Sequence, residues 1–167
     1  GFFTYVAASP IVFIDVYKVD GKTYGWIFAF MSLSFISASQ VNSLLLRKFK
    51  SEQMIFGALI SQSFIVILFL ILSINDVLGL YGTIVMLFLF LACLGISNPN
   101  TAGLTLAPFS RNAGSASALM GAIQLGLGAF VSFAVGVFVS SSVVPMVIIM
   151  TSTTLLAFLI IILGRRK

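Results

Sequence analysis

Ser115 and Ser117, in the run GlySerAlaSerAla, sit among small residues as a nucleophile might. A serine nucleophile needs a base, and the chain has no histidine and a single cysteine, Cys93. That inventory excludes a disulfide within the chain, a Cys/His metal centre and a His-based general acid. The run is not a G-x-S-x-G turn, and GlyLeuGly at 126–128 lacks the third glycine, the preceding strand and the acidic partner of a dinucleotide fingerprint. These residues predict packing rather than catalysis. The expectation is a protein that is not an enzyme and holds no cofactor or metal.

Asp15 is the only acid that could lie within an apolar run, and a charge at mid-bilayer costs roughly 2.5 to 3.5 kcal/mol on insertion scales. It adjoins the Tyr17-Lys18-Val19-Asp20 turn, which places it at a helix end as an outer-face acid, where that cost falls away and Lys18 or Lys22 could pair with it. No other acid is placed to carry a proton relay through the interior.

These residues are strung on apolar segments. The chain of 167 residues is 60% hydrophobic and 8% charged, far from the soluble balance of about half apolar and about a quarter charged. It reads as an integral membrane protein. The nine Lys and Arg residues, which leave a net charge of +5, are scattered between apolar runs instead of lining one polar face, so no nucleic-acid partner is expected and the lipid bilayer is. The opening GlyPhePhe carries no initiator Met and no charged region, does not resemble a signal peptide and looks cut from something longer.

A spanning helix needs about 20 apolar residues, and hydropathy predicts six spans: 2–16, short and truncated at its start, then 24–46, 54–74, 78–106 with a kink at Pro99, 113–139 and 143–163. Helices are expected because backbone polar groups in lipid must be satisfied within the segment, and no short alternating strands of a barrel are seen. Arg47, Lys48, Lys50, Arg111, Arg165, Arg166 and Lys167 fall on one side of these spans and only Lys18 and Lys22 on the other. The first side, with the C-terminus, is therefore assigned to the cytoplasm. Tyr24 and Trp26 fit an interfacial aromatic position at the opposite end.

The spans differ in character. The third and sixth read as lipid-facing, whereas the second carries Ser32, Ser34, Ser37, Ser39, Gln40 and Asn42 and the fifth is dominated by small residues. Gly114, Ala118, Ala122 and Gly126 recur at four-residue spacing, with Gly121, Gly128, Ser132 and Gly136 widening the smooth surface, which predicts close helix packing. Gln124 is the polar exception at membrane depth. AlaSerPro at 8–10 and SerAsnPro at 97–99 interrupt the first and fourth spans in related settings. Such paired interruptions point to a transport pathway where helices form repeated three-helix units.

Three stretches carry a family resemblance: TYVAASPIV (4–12), SQVNSLLLRKF (39–49) and, above all, NPNTAGLTLAPFSRNAGSASALMGAIQ (98–124). Together they resemble the C-terminal half of a major facilitator superfamily transporter, in the bicyclomycin-resistance (Bcr/CflA) branch of bacterial drug:proton antiporters. The resemblance implies an all-α integral membrane fold whose six helices are the seventh to twelfth of twelve. It implies a cavity lined by the first, second, fourth and fifth, and a location in the bacterial inner membrane. It also implies that the N-terminal six-helix half, carrying the proton-coupling acid, lies outside this chain, so that this chain alone does not transport.

On that basis the substrate-cavity candidates are Tyr5, Ser9, Phe28, Ser32, Gln40, Met86, Phe90 and Gln124, since Phe, Tyr and Met suit an adaptable pocket for a small amphipathic substrate. Pro10, Asn98, Pro99 and Gly126 are kink or gating candidates. Arg47, Lys48 and Arg111 are cytoplasmic-face candidates, either locking neighbouring helices or serving orientation alone. The expected function is proton-coupled multidrug export by alternating access, and the alternative is a non-transporting or channel-like helical scaffold. Within 97–121, the residues to Leu106 are expected to extend the fourth helix, Ala107–Asn112 to turn at Pro108, and Asn112 to cap the fifth helix.

Overall fold

The computed structural model describes residues 1–138 and 142–165. The expected ends at Val139, Arg166 and Lys167 lie outside the described residues. Six helices follow in order: α1 (Phe2–Pro10), extended by a wider π-helical stretch (Ile11–Val16), α2 (Gly21–Leu45), α3 (Ser51–Ile74), α4 (Leu80–Leu106), α5 (Ala113–Phe138) and α6 (Val144–Arg165). Among the described residues no strand occurs. The last five helices are long and apolar enough to cross a membrane, and Phe2–Val16 is a shorter apolar helix. The chain is thus a multi-pass helical membrane protein.

Each proline interruption has a local remedy. Pro10 has no N–H to give the Val6 carbonyl one turn back, and the Ser9 hydroxyl reaches that carbonyl at 3.5 Å. After Pro10 the ladder widens, with Tyr17 N–H bonding Val12 O at 3.0 Å and Val19 N–H bonding Phe13 O at 2.9 Å. Lys18, at φ 55°, then turns the chain. Around Pro99, Asn100 Nδ2 donates to Ile96 O at 2.7 Å and Thr101 Oγ1 to Ser97 O at 2.8 Å. These side chains brace the carbonyls flanking the proline, as membrane helices require, and α4 runs on to Leu106. The chain breaks later, at Phe109 (φ −103°, ψ 30°), inside a 3₁₀ turn over Ala107–Asn112 that Pro108 opens. That turn passes straight into α5.

Asp20 caps α2 by accepting the Thr23 N–H at 3.1 Å. Hydrogen bonding from Thr23, by its side chain and its backbone, holds the Asp20 carboxyl below its usual range. A depressed carboxyl stabilises the fold fully above the unfolded aspartate pKa, about 3.9, and loses that contribution as pH falls through the lower folded value. Asp20→Ala should therefore lower the thermal midpoint at neutral pH, by a margin that closes as pH drops below about 4. Asp20→Asn should retain the cap at neutral pH, because Asn caps as well as Asp. A melting series against pH in detergent checks both.

The helices pack α2 on α4, α4 on α3 and α3 on α6, while α1 lies against α5 and α6. Phe13 of the π stretch, Met31, Phe69, Phe90 and Met146 are fully buried where these meet. The α2–α4 seam is the closest. Ser34 Oγ donates to Phe88 O at 2.7 Å, the Phe30 and Phe88 rings stack at 4.8 Å, and Gly95 lies directly against the Phe35 backbone. On the α3–α6 seam, Thr151 Oγ1 reaches Val66 O at 3.3 Å. The outward faces of α3 (Ile60, Phe64, Ile67, Ile71) and α6 (Leu156, Leu159, Ile160) are apolar, as lipid-facing surfaces should be.

The small-residue face of α5 is little covered within this chain. A Cβ at Gly114, Gly121, Gly126 or Gly136 would meet none of the described residues, and of the α5 glycines only Gly128 is tightly packed, against the Phe3 ring of α1. The face is smooth but uncovered, because α5 contacts α1 chiefly and its other neighbours slightly.

Candidate functional site

Two clefts meet along α5. One, of about 570 Å³, lies between α1, α4 and α5 and is bordered by Phe2, Phe3, Asn98, Thr101, Gln124, Leu127 and Val131. The other, of about 440 Å³, continues past Gln124 toward the 3₁₀ turn and is bordered by Leu106, Phe109, Asn112, Leu119, Met120 and Ile123. Gln124 stands at their junction and is uncovered. The walls are apolar with a few amides and hydroxyls, which suits an amphipathic ligand.

A smaller cleft of about 150 Å³ between α1 and α2 gathers Tyr5, Phe28 and Ser32 with Phe2, Met31 and Phe35. Tyr5 stacks on Phe28 with ring centres 6.1 Å apart and is 2% exposed, and its buried hydroxyl has no partner. Ser32 Oγ turns back to Phe28 O at 2.9 Å.

Other candidates sit elsewhere. Ser9 is fully buried and 3.0 Å from the Tyr24 hydroxyl, so it joins α1 to α2, and it borders none of these clefts. Phe90 is fully buried in the core, and Met86 is half-buried against it. Gln40 is uncovered on α2 and borders none of these clefts. Pro10 sits where α1 widens, and Pro99 beside Asn98 on the uncovered side of α4. Gly126 lies in an unbroken α5 with open space around it. Arg47, Lys48 and Arg111 are exposed at one end of the bundle. Asp15 is exposed on the π stretch, and Asp20, Glu52 and Asp76 are exposed as well, so no acid lies inside the bundle.

The buried pair Asn42–Asn100 was not singled out from the sequence. Asn100 Nδ2 donates to Asn42 Oδ1 at 2.6 Å, with the two residues 3% and 2% exposed. Both Asn100 amide hydrogens are used, one across the seam and one on Ile96 O, while its own oxygen has no partner. The available signal was a rule: an amide within an apolar span must find a partner, and a second amide in another span is the cheapest one. Double-mutant cycles between membrane helices give about 0.6 to 1.7 kcal/mol for such contacts. A cycle over Asn42→Ala and Asn100→Ala, read by equilibrium unfolding in micelles, should return a coupling in that range. Additive losses would mean that the pair contributes nothing as a pair.

Two curated relatives match the chain. An uncharacterized MFS-type transporter, YdgK, of Bacillus subtilis is 29% identical over 164 residues, covering 95% of this chain and 39% of its own length. A bicyclomycin resistance protein homolog of Haemophilus influenzae is 27% identical over 159 residues, covering 95% of this chain and 40% of its own. No family model matches, and no solved structure matches. The chain therefore spans about two fifths of the length of the relatives it matches. The resemblance to the C-terminal part of a Bcr/CflA-like major facilitator transporter extends over nearly the whole chain, well beyond the 98–124 run.

Proposed function

We propose, for a chain that resembles major facilitator transporters along 95% of its length, that it forms one of two six-helix units of a secondary active exporter of amphipathic compounds. The second unit covers α2 and α5, and the two rock about a site between them. The observation that carries this reading is the coincidence of polarity and exposure. The two spans richest in polar or small residues, α2 and α5, are also the least covered, with 22% and 11% of their apolar windows buried against 28% to 39% for the others. A helix that shows Gln40 or Gln124 on an uncovered face is disfavoured in lipid, and such faces turn toward protein or a water-filled cavity.

In this reading the Gln124 clefts and the Tyr5–Phe28–Ser32 cleft form this unit's share of the substrate cavity. Apolar walls hold the greasy body of the substrate, and isolated amides and hydroxyls orient its polar atoms. Export is driven by proton influx, and the coupling acid belongs to the second unit, because the acids here are all exposed. The exposed basic end, Arg47 to Lys50 with Arg111, faces the cytoplasm of a bacterial inner membrane.

Drug accumulation in cells expressing the full-length gene tests this. Accumulation should fall on expression and recover when an uncoupler collapses the proton gradient. Export that persists with the uncoupler would rule out proton coupling, and accumulation unchanged by expression would rule out export of the compound tested.

A further inference from the structure

The opposite end of the bundle holds a pocket that the transport reading does not use. It has a volume of about 330 Å³ and is bordered by Val16, Tyr17, Ser73, Asp76, Leu78, Ser142 and Val143. It lies where the π stretch after α1, the end of α3 and the starts of α4 and α6 converge, at the ends of the spans. The ends of membrane-spanning helices lie near the lipid headgroups.

We infer that this pocket binds a primary ammonium group, carried either by an ethanolamine lipid headgroup or by a free small amine. The inference stands whether or not the protein transports.

Three features favour a cation with N–H donors: the Asp76 carboxylate, the C-terminal end of α3 and the Ser73 hydroxyl. Among the described residues, the only charged one bordering the pocket is Asp76, with its carboxylate. Asp76 sits at φ 51°, a left-handed backbone that Asp and Asn tolerate, in the turn that closes α3. The C-terminal end of α3, where the helix dipole is negative and favours cations, points to the same place. Ser73, 6% exposed, borders the pocket, and its buried hydroxyl has no hydrogen-bond partner, so a turn about its Cα–Cβ bond offers an unused acceptor to a donor there.

The remaining walls are already fixed. The Tyr17 hydroxyl lies 2.6 Å from Thr83 Oγ1 and donates to Leu78 O at 3.4 Å, which holds its ring in the wall. An aromatic face at that place attracts a cation. Ser142 Oγ accepts the Val144 N–H at 3.2 Å, so it caps α6 and shields the positive end of that helix. Val16, Leu78 and Val143 offer apolar surface to the methylenes that carry the amine.

The test uses the full-length protein in two arms. In the first, protein in phosphatidylcholine nanodiscs is titrated calorimetrically with ethanolamine, and with ethylene glycol as the uncharged control. In the second, detergent-solubilised protein is offered phosphatidylethanolamine or phosphatidylcholine, and bound lipid is read by native mass spectrometry. The amine should bind in preference to its control in at least one arm, and that arm identifies the source. Asp76→Asn should weaken this binding at least about tenfold, the size of a lost hydrogen bond to a charged group. Ser73→Ala should weaken it several-fold. Asn accepts a left-handed backbone at least as readily as Asp, so Asp76→Asn should keep its thermal midpoint, which separates lost binding from lost folding. Binding by Asp76→Asn within twofold of the parent, or no preference for the amine in either arm, would overturn the inference.

Discussion

Gly95→Val should lower the thermal midpoint of the bundle sharply, while Gly103→Ala, about two turns further along α4, should not. A side chain at Gly95 would be driven into the Phe35 carbonyl oxygen and to 3.0 Å from the Ala38 methyl, both belonging to α2. The first obstacle is backbone, so no rotamer change relieves it and α2 must move away from α4. That movement would also loosen the Ser34–Phe88, Phe30–Phe88 and Asn42–Asn100 contacts strung along the same seam. Overpacking typically costs about 1 to 3 kcal/mol, and the loss of seam contacts brings Gly95→Val to the upper end of that range or beyond it. Gly103 lies in the same helix with open space around it, so alanine there should be neutral or should stabilise by up to about 1 kcal/mol through helix propensity. Size-exclusion recovery after graded heating in detergent measures both. Equal melting of the two variants would mean that the α2–α4 approach does not set stability.

Gly121→Trp should do the reverse, sparing the fold of this bundle and cutting transport by the full-length protein. A Cβ at Gly121 would meet nothing among the described residues, as at Gly114 and Gly126, so no described contact blocks the first atom of a larger side chain there. If a second six-helix unit packs on the smooth face of α5, the tryptophan indole holds the two apart. Alternating access needs close approach of the units in at least one state, so transport should fall by about tenfold or more, given that roughly 1.4 kcal/mol of misfit is already a factor of ten. Transport in proteoliposomes, compared at equal reconstitution and equal thermal midpoint, gives the answer. Full activity with tryptophan at position 121 would show that α5 is not an interface.

The contrast between these two glycines marks how far the sequence could be read. Long apolar runs separated by short polar turns suffice for the helices, because lipid leaves the backbone no other option. The fourth helix was legible through Pro99 to Leu106, since ThrAlaGlyLeuThrLeu is compatible with helix and Pro108 supplies a reason to stop. The π stretch after Pro10 was not legible, because it depends on which carbonyl the displaced N–H groups find next. The sequence also could not tell Gly95, wedged against Phe35, from Gly121, where an added Cβ would meet nothing. Both are glycines in apolar spans, and the difference lies in which helix lies opposite.

Of the expected cavity residues, Tyr5, Phe28 and Ser32 share one cleft, and Gln124 borders two others with Asn98 in one of them. Ser9 and Phe90 instead serve helix contacts, because α1 and α4 are buried on the faces that carry them. Polarity and aromaticity mark a residue as able to meet a ligand, whereas the helix face on which it falls decides whether it does. The Asn42–Asn100 pair belongs to the same class of information, since neither asparagine reveals its partner until α2 and α4 are paired.

The central claim is that α5 presents its smooth face to a second helical unit that moves during transport. A nitroxide spin label at Gly121, introduced into full-length protein with Cys93 replaced by serine and reconstituted in lipid, reports on that claim directly. The account predicts low accessibility to oxygen dissolved in the bilayer and a change in label mobility when an exported compound or a proton gradient is supplied. A label that is freely accessible to bilayer oxygen, with a spectrum indifferent to both, would contradict it.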